Sequence, residues 1–256
     1  MRQHAAADSM AMRPREYRVM FEIEEDYWWY QGLRALLLEL LARYAPDRRT
    51  RILDAGCGTG ANLQLLLEHG DAVGVDIAAE AVEFCRARGI PPDRALLASL
   101  LELPFPDNFF ELSFSFDVIC NIDDDVSAFA ELCRVLKPGG RLIAQLPAYR
   151  FLWSAHDVAV GHKHRYTAAE LTRRIERAGL AVERMTYLNA LLFPLEVVAR
   201  LWRRPESANG NAHSDLVPLP RPLNSALAQL FSAEMRAAPR VHFPYGLSLL
   251  VVARKA

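Results

Sequence analysis

The stretch that decides the fold is Leu53–Gly60, which reads LDAGCGTG. It joins an apolar run, Arg51–Ala55 (RILDA), to Ala61–His69, whose composition predicts a helix. Glycines in the stretch permit positive φ and let the backbone approach a ligand closely, while the N-terminus of the following helix offers unpaired N–H donors. The stretch therefore predicts a strand, a ligand-binding turn and a helix in succession.

Short apolar runs alternate with helical patterns along the rest of the chain. Further strands are predicted at Ala72–Asp76, Ala95–Ala98, Leu112–Phe116, Arg141–Leu146, Ala181–Tyr187 and Leu247–Ala253. Further helices are predicted at Ala79–Arg88, Asp124–Leu136 and Thr167–Ala178. This alternation predicts an α/β fold: a Rossmann-like, doubly wound, mostly parallel seven-stranded sheet with helices on both faces. In such open sheets ligands bind beyond the carboxyl ends of the strands.

An acidic residue closes the second predicted strand. Asp76 follows Gly56 by 20 residues, and a carboxylate there can accept hydrogen bonds from both hydroxyls of a ribose. Glycines between a strand and a helix, with an acid at this distance, indicate an adenosine-containing cofactor. The GCGTGA pattern also fits dinucleotides, but Asp54 would repel a pyrophosphate and attract a cationic amino-acid group.

The motifs around this turn resemble those of a known family. DAGCGTG is similar to the first motif of the class I S-adenosylmethionine-dependent methyltransferases, in their small-molecule, methyltransferase type 11-like branch. SLLELPFPDNFFELSFSFDVICNIDD is similar to their adenine-binding loop and fourth strand, RVLKPGGRLIAQLP to the entry of their fifth strand, and HFPYGLSLLVVARK to their final hairpin strand. The likeness covers roughly residues 15–256. It implies an enzyme that binds S-adenosyl-L-methionine and leaves S-adenosylhomocysteine.

The resemblance also implies a set of cofactor-binding residues. Asp54 and Gly56 would contact the methionine end, and Asp76 the ribose hydroxyls. Ser99 stands where many relatives place an acid that bonds the adenine amino group, and Phe116 would face the sulfonium. The complete set is Asp54, Gly56, Gly58, Gly60, Asp76, Ile77, Ser99, Leu100 and Phe116.

The N-terminal segment is rich in aromatic residues. Glu24–Tyr30 reads EEDYWWY, and the resemblance implies a helix that covers the cofactor as a lid. The alternative is that these rings only pack the helix onto the sheet. We expect residues 1–45 to form the helical lid and residues 46–256 to form the S-adenosylmethionine-binding domain. Tyr27 and Trp29 are the residues favoured for the pocket.

Histidines and tyrosines cluster in the segment after the fifth predicted strand. Tyr149–Tyr166 reads YRFLWSAHDVAVGHKHRY, in which His156 is the expected general base and Asp157 would orient it or hold an acceptor amine. His162 and His164 share one direction on an extended segment, but a loop pair of this kind is more often structural, so no metal is expected. The expected substrate-contacting residues are Tyr27, Trp29, Tyr149, His162, His164 and Tyr166.

A helical insertion is expected at about residues 189–241, with amphipathic stretches around Leu191–Leu201 and Leu223–Met235. Its apolar faces could cap an acceptor pocket, form a homodimer surface or rest on a membrane. A membrane surface is the least supported of these, because only Arg200, Arg203 and Arg204 near Trp202 supply a basic face.

Composition and net charge narrow the range of possible functions further. The formal charge of −1 offers no excess of positive charge for nucleic acid, and the motif Asn/Asp-Pro-Pro-Tyr is missing after Phe116. The four cysteines form no CxxC pair, and the N-terminus lacks the apolar region of a signal peptide, so a cytoplasmic location is expected. The sequence thus predicts methyl transfer to a small-molecule acceptor: a metabolite, a natural product or a lipid intermediate. The alternatives are a nicotinamide-dependent oxidoreductase and a non-catalytic cofactor-binding partner protein.

Overall fold

The structure, a computed structural model, describes residues 12, 14–202 and 219–256 of the chain. Arg203 and Arg204, which the membrane hypothesis needs, lie outside the described residues, as do residues 1–11 and 13 of the expected lid. Within the described part of the chain no helix is both long and apolar enough to cross a membrane.

A seven-stranded sheet forms the centre of the molecule and confirms the α/β prediction. Its strands are β1 (Arg51–Ala55), β2 (Asp71–Asp76), β3 (Ala95–Leu97), β4 (Phe110–Phe116), β5 (Leu136–Pro147), β6 (Leu180–Leu188) and β7 (Ser248–Lys255). They lie in the order β3-β2-β1-β4-β5-β7-β6. The first five strands are parallel, and β7 runs antiparallel to both of its neighbours, β5 and β6.

Helices connect the strands, and two helices precede the first strand. They are α1 (Pro14–Ile23), α2 (Trp28–Tyr44), α3 (Ala61–His69), α4 (Ala79–Ala87), α5 (Asp125–Val135), α6 (Ala155–Ala159), α7 (Ala168–Arg177), α8 (Phe193–Trp202) and α9 (Arg221–Ala237). Short 3₁₀ turns lie at Ile119–Asn121 and Arg150–Leu152. The two last helices lie between β6 and β7, where the sequence predicts helical stretches.

The largest difference from the predicted strand boundaries is at the start of β5. The Lys137-Pro-Gly-Gly segment is expected to separate α5 from a strand beginning at Arg141, but β5 begins already at Leu136. Leu136 pairs with Phe110, and the register then shifts before Leu112 pairs with Arg141. The strand therefore absorbs the glycines as an irregularity in the ladder, which a pattern of propensities does not show.

The order of the strands locates the functional end of the sheet. β1 is flanked by β2 on one side and β4 on the other, so the chain order reverses between β1 and β4. Connections diverge at such a point and leave a crevice beyond the carboxyl ends of the strands. The crevice between β1, β2 and β4 is therefore the place where this fold positions a ligand.

The candidate active site

A cavity of about 250 Å³ lies beyond the carboxyl ends of β1, β2 and β4. Residues from α1 and α2 form its cover, and residues from the turn after β1 form its floor. From α1 and its flank it is lined by Glu16, Tyr17, Met20 and Glu24; from α2 by Trp29, Tyr30, Leu33 and Arg34; from the first turn by Gly56, Cys57, Gly58 and Thr59. The cavity therefore joins the N-terminal helices to the glycine turn.

The glycine turn owes its shape to positive φ angles. Gly56, Gly58 and Gly60 have φ of +89°, +52° and +88°. Gly56 N and Cys57 N both donate to Val75 O, at 2.8 and 2.9 Å, which holds the turn against β2. Gly56 and Gly58 line the cavity. Gly60 does not line the cavity. It faces the interior, where a Cβ added to it would lie 2.8 Å from Ile90 and 2.9 Å from Cys85.

Backbone N–H groups hold the carboxylate of Asp76, which lines the cavity. Its Oδ2 accepts a hydrogen bond from Gly58 N and its Oδ1 one from Ala78 N, both at 2.9 Å. The Tyr17 hydroxyl donates a longer bond of 3.4 Å to Oδ1. Burial raises the pKa of Asp76, although these hydrogen bonds act in the opposite direction. The carboxylate is thus fixed at the site where the sequence places a ribose, with one partner supplied by the covering helix.

Asp54 is buried without compensation. Its side chain is 4% exposed, and its Oδ2 has no hydrogen-bond partner among the described residues. Burial and then the charge of Asp76 raise the pKa of Asp54 to about 7. It is not among the residues lining the cavity, contrary to its expected contact with the methionine end of the cofactor. A buried, unpaired carboxylate oxygen in this place fits a cationic ligand group.

The remaining expected cofactor residues come together on one side of the cavity. Ile77, Ser99, Leu100 and Phe116 all line it. The Ser99 Oγ accepts a hydrogen bond of 3.1 Å from Leu101 N, so its hydroxyl hydrogen is still available to a ligand. Because these residues follow β2, β3 and β4, the crevice brings together side chains that are far apart in the sequence.

The covering helix α1 is fastened to the body by a buried ion pair. Glu24 pairs with Arg88 and accepts a hydrogen bond of 2.5 Å from the Thr59 hydroxyl. Arg88 Nε donates to Thr59 O at 2.8 Å. Burial raises the pKa of Glu24, while Thr59 and Arg88 lower it. The pair therefore links the cover to the glycine turn.

Of the two aromatic residues favoured for the pocket, the structure brings one to the cavity. Trp29 lines it and also stacks on Phe231 with ring centroids 4.8 Å apart. Tyr27 precedes the first turn of α2, packs against Trp28 and Tyr30, and does not line the cavity. Tyr30 lines it instead. Trp29 therefore both lines the cavity and packs on the body of the protein.

Some of the residues predicted in the loop after β5 line the cavity, and others are buried in the interior. His156 and His162 line the cavity, with ring centroids 6.1 Å apart. Asp157 does not face it, contrary to the expected placement. Asp157 is fully buried, accepts hydrogen bonds of 2.7 Å from Ser154 N and Arg165 Nε, and lies 2.8 Å from His162 Nδ1. These partners hold the carboxylate at the start of α6, so it positions neighbouring groups.

Three other residues expected to contact the substrate lie away from the cavity. Tyr166 is fully buried and donates to Asp125 Oδ2 at 2.8 Å. The ring nitrogen of His164 contacts Asp123 O at 3.2 Å on the exterior. Tyr149 stacks on Tyr187, with centroids 5.2 Å apart. The loop folds back over β5 at these positions, which its composition alone does not show.

The cavity is also lined by residues that the sequence analysis does not select. Glu16 and Tyr17 of α1 line the cavity, and Glu16 is buried with an oxygen that has no partner within the described chain. Asp117 lines it from the end of β4 and accepts a hydrogen bond of 3.0 Å from Gln145 Nε2. A signal for Asp117 exists in the sequence: it follows β4 directly, and Asp54 and Asp76 stand at the ends of β1 and β2.

Comparison with known proteins agrees with the geometry. A family model described as a methyltransferase domain matches residues 53–144, from β1 to β5. A Mycolicibacterium smegmatis protein named a probable S-adenosylmethionine-dependent methyltransferase is 32% identical over 163 residues, covering 62% of each chain. The chain thus spans less than two thirds of that relative's length.

Solved structures show the same fold at low identity. The methyltransferase in a complex with the Haloferax volcanii activator Trm112 superposes with a TM-score of 0.60 at 20% identity, covering 94% of this chain and 93% of that one. Geranyl diphosphate C-methyltransferase from Streptomyces coelicolor superposes with a TM-score of 0.56 at 19% identity, covering 85% and 76%.

The fold, the glycine turn and the acid after β2 define a nucleoside-cofactor-binding protein of the Rossmann-like class. Within that class, residues 53–144 match the methyltransferase-domain model, and the chain is similar to S-adenosylmethionine-dependent methyltransferases. S-adenosylmethionine is therefore the cofactor to which the cavity corresponds.

Proposed function

We propose that this protein transfers a methyl group from S-adenosylmethionine to a small-molecule acceptor. The observation that carries the proposal is the cavity itself, whose lining combines the glycine turn and Asp76 with His156, His162 and Asp117 and with residues of α1 and α2. Such a cavity can hold a cofactor and a second reactant side by side, which is the main requirement of a bimolecular transfer.

The residues present fit the cofactor. Asp76 lines the cavity and presents a fixed carboxylate to the ribose. The positive φ angles of Gly56 and Gly58 keep side chains off the surface of the turn. Ile77, Ser99, Leu100 and Phe116 would surround the adenine and the sulfonium. When bound, S-adenosylmethionine supplies a methyl group already activated by a positively charged sulfur.

The protein's own contribution is to align the acceptor, exclude water and remove a proton. His156 lines the cavity, so it is placed to take the proton that an acceptor hydroxyl, amine or thiol loses as it is methylated. Trp29, Tyr30 and Leu33 close the cavity from above and exclude water. We propose that the described part of residues 1–45 acts as the lid in this sense.

A small acceptor is supported by the dimensions of the site. A cavity of about 250 Å³, lined by residues of α1 and α2, supports reactants of small size. The Streptomyces coelicolor neighbour is named for a small acceptor, geranyl diphosphate. Of the helices of the insertion, α9 reaches this region through the stacking of Phe231 on Trp29, so we propose that the insertion supports the acceptor side.

A thermal-shift comparison tests the cofactor. S-adenosylhomocysteine at 100 times its dissociation constant should stabilise the protein by about 2.7 kcal/mol, and NAD⁺ at equal concentration should leave the melting temperature unchanged. Stabilisation by NAD⁺ alone would support the oxidoreductase instead.

A transfer assay then tests the activity. The protein is incubated with methyl-labelled S-adenosylmethionine and a cell extract separated into small molecules, protein and nucleic acid. We expect label in the small-molecule fraction, and His156→Ala should reduce the rate about 100-fold with little change in cofactor affinity. His242→Ala, in an exposed histidine on another part of the surface, is the matched control. Cofactor binding without label in any fraction would favour a non-catalytic partner protein.

A further inference from the structure

Three potential metal ligands from two parts of the chain, the segment after β4 and the loop after α6, meet beside the cavity. Asp117 follows β4, Cys120 lies in the 3₁₀ turn Ile119–Asn121, and His162 lies in the loop after α6. One ligand atom from each of the three lies within 4.8 Å of the other two. Cys120 is fully buried and His162 nearly so. The cluster therefore offers one oxygen, one sulfur and one nitrogen donor in a sheltered position.

The backbone around the cluster fixes the approach of the three side chains. Lys163 N and His164 N both donate to Cys120 O, at 2.8 and 3.1 Å, which ties the loop of His162 to the turn of Cys120. Asp117 has a φ of +56° and is held by two hydrogen bonds with Gln145. Main-chain hydrogen bonds therefore hold the three residues close together. These bonds do not depend on the conformations of the three side chains.

His162 is also oriented in the manner of a metal ligand. Its Nδ1 lies 2.8 Å from Asp157 Oδ1, and Asp157 is itself held by Arg165. A buried carboxylate that accepts a hydrogen bond from one imidazole nitrogen fixes the tautomer and leaves the other nitrogen to coordinate a metal. The Asp157–His162 pair therefore leaves Nε2 as the remaining coordinating atom.

We propose that Asp117, Cys120 and His162 form a binding site for a zinc ion or a similar divalent transition metal. A mixed set of nitrogen, oxygen and sulfur donors suits zinc, whereas magnesium and calcium prefer oxygen alone. Zinc bonds of about 2.0–2.3 Å place tetrahedral ligand atoms about 3.3–3.8 Å apart. The ligand atoms need to draw together by only about 1–1.5 Å, a movement that side-chain torsions can supply. The expectation of no metal came from pairing His162 with His164, whereas the folded chain brings His162 to Asp117 and Cys120.

The fourth position of such a site opens on the cavity, because Asp117 and His162 both line it. Three protein ligands and an open position are the arrangement of catalytic zinc sites. The position is available to water or to an oxygen or sulfur atom of the acceptor. That last use rests on the proposed function, whereas binding of the metal does not.

Cobalt substitution in the whole chain tests the site without any cofactor. The protein is stripped with a chelator, dialysed and titrated with CoCl₂ and then with ZnCl₂. We expect one equivalent of Co²⁺ to give a thiolate-to-cobalt charge-transfer band that zinc removes. Cys120→Ser should abolish this band, and His162→Ala should weaken binding at least ~10-fold, while Cys133→Ser and His242→Ala serve as cysteine and histidine controls.

X-ray absorption of the zinc-loaded wild-type chain gives a second readout that needs no variant. We expect one sulfur at about 2.3 Å together with nitrogen or oxygen at about 2.0–2.1 Å. No tight binding, no sulfur bound to the metal, or unchanged binding in a folded Cys120→Ser variant would overturn the proposal. Since S-adenosylmethionine is absent from these measurements, their failure leaves the proposed methyl transfer intact.

Discussion

Three aspartates stand at the ends of adjacent strands, and their surroundings give them different properties. Asp76 after β2 has three hydrogen-bond donors, two of them backbone N–H groups. Asp117 after β4 accepts from Gln145, and one oxygen of Asp54 has no partner among the described residues. The sequence shows three similar residues at similar positions. The partners are supplied by other segments, so only the folded chain distinguishes a carboxylate that is held from one that awaits a ligand.

The first prediction concerns the pH dependence of stability at Asp54. Its folded pKa of about 7 lies above the ordinary value of 3.8, so the folded state binds more protons than the unfolded state between these limits. Stability contributed by this group is therefore lost as the pH rises from about 4 to 7, by about 4 kcal/mol at most from 1.36 kcal/mol per unit.

Replacing the carboxylate with an amide removes this dependence. Asp54→Asn should raise the melting temperature of the cofactor-free protein more at pH 8 than at pH 5, while it weakens S-adenosylmethionine binding in calorimetry. Asp93→Asn, in a largely exposed side chain, should show no such pH difference. An equal effect of Asp54→Asn at both pH values would show that this carboxyl titrates normally.

The second prediction separates two neighbouring residues that the sequence treats as a catalytic pair. Asp157 is buried against Arg165 and His162, so Asp157→Ala leaves the buried Arg165 guanidinium uncompensated and should cost about 3–5 kcal/mol of unfolding free energy. His156→Ala, one residue earlier on the cavity wall, should change the unfolding free energy little. Urea denaturation of both variants measures this, and similar small losses for the two would mean that the buried network contributes nothing.

At the scale of elements, the boundaries of most strands and helices follow from local patterns. Ala61–His69 forms α3 as predicted, and Arg51–Ala55 forms β1, because apolar runs and glycines act over a few residues. The predicted start of β5, at Arg141, is wrong because the strand begins at Leu136 and pairing with β4 carries it through two glycines. Long-range pairing outweighs local propensity there.

The third prediction concerns the turn after β1. Gly56 has a φ of +89°, and a Cβ at this position would overlap both γ-carbons of Val118. Gly56→Ala should therefore destabilise the protein by about 1–2 kcal/mol for the left-handed backbone and by about 1–3 kcal/mol more for the overlap. This clash is with the protein, so the loss does not depend on the cofactor.

A comparison of glycines separates the two contributions. Gly89 has a φ of +80°, and a Cβ added to it would have no heavy atom within 4 Å, so Gly89→Ala should show the backbone cost alone. Adding Val118→Ala to Gly56→Ala should recover part of the loss in unfolding free energy. If the two substitutions are simply additive, Val118 is not what confines Gly56.

At the scale of the whole molecule, the two ends of the chain pack on each other beside the cavity. Trp29 of α2 stacks on Phe231 of α9, and Trp28 meets the same ring edge-on at 5.2 Å. Asn224 Oδ1 accepts a hydrogen bond of 3.0 Å from Trp28 N, and its Nδ2 donates to Asp26 O at 2.7 Å. The insertion therefore supports the helix that covers the cavity.

The fourth prediction tests this support. Phe231→Ala should cost about 3–5 kcal/mol of unfolding free energy, as truncation of a buried aromatic ring does. It should also weaken S-adenosylmethionine binding, because Trp29 loses the ring that positions it. Leu230→Ala, in a more exposed neighbour on the same helix, should change both quantities little. Reduced stability with unchanged cofactor affinity would show that the insertion does not act on the cavity.

The sequence by itself determined the α/β fold, the glycine turn with Asp76, and the resemblance of the chain to S-adenosylmethionine-dependent methyltransferases. These features depend on periodicity and spacing within short segments, where local conformational preferences dominate. Only the tertiary structure decided that His156 and Trp29 reach the cavity while Asp157, Tyr166 and Tyr27 do not. It alone brought Cys120 to His162 and Phe231 to Trp29. Such contacts depend on which segments meet in space, and a loop's composition carries no record of the direction in which its side chains point.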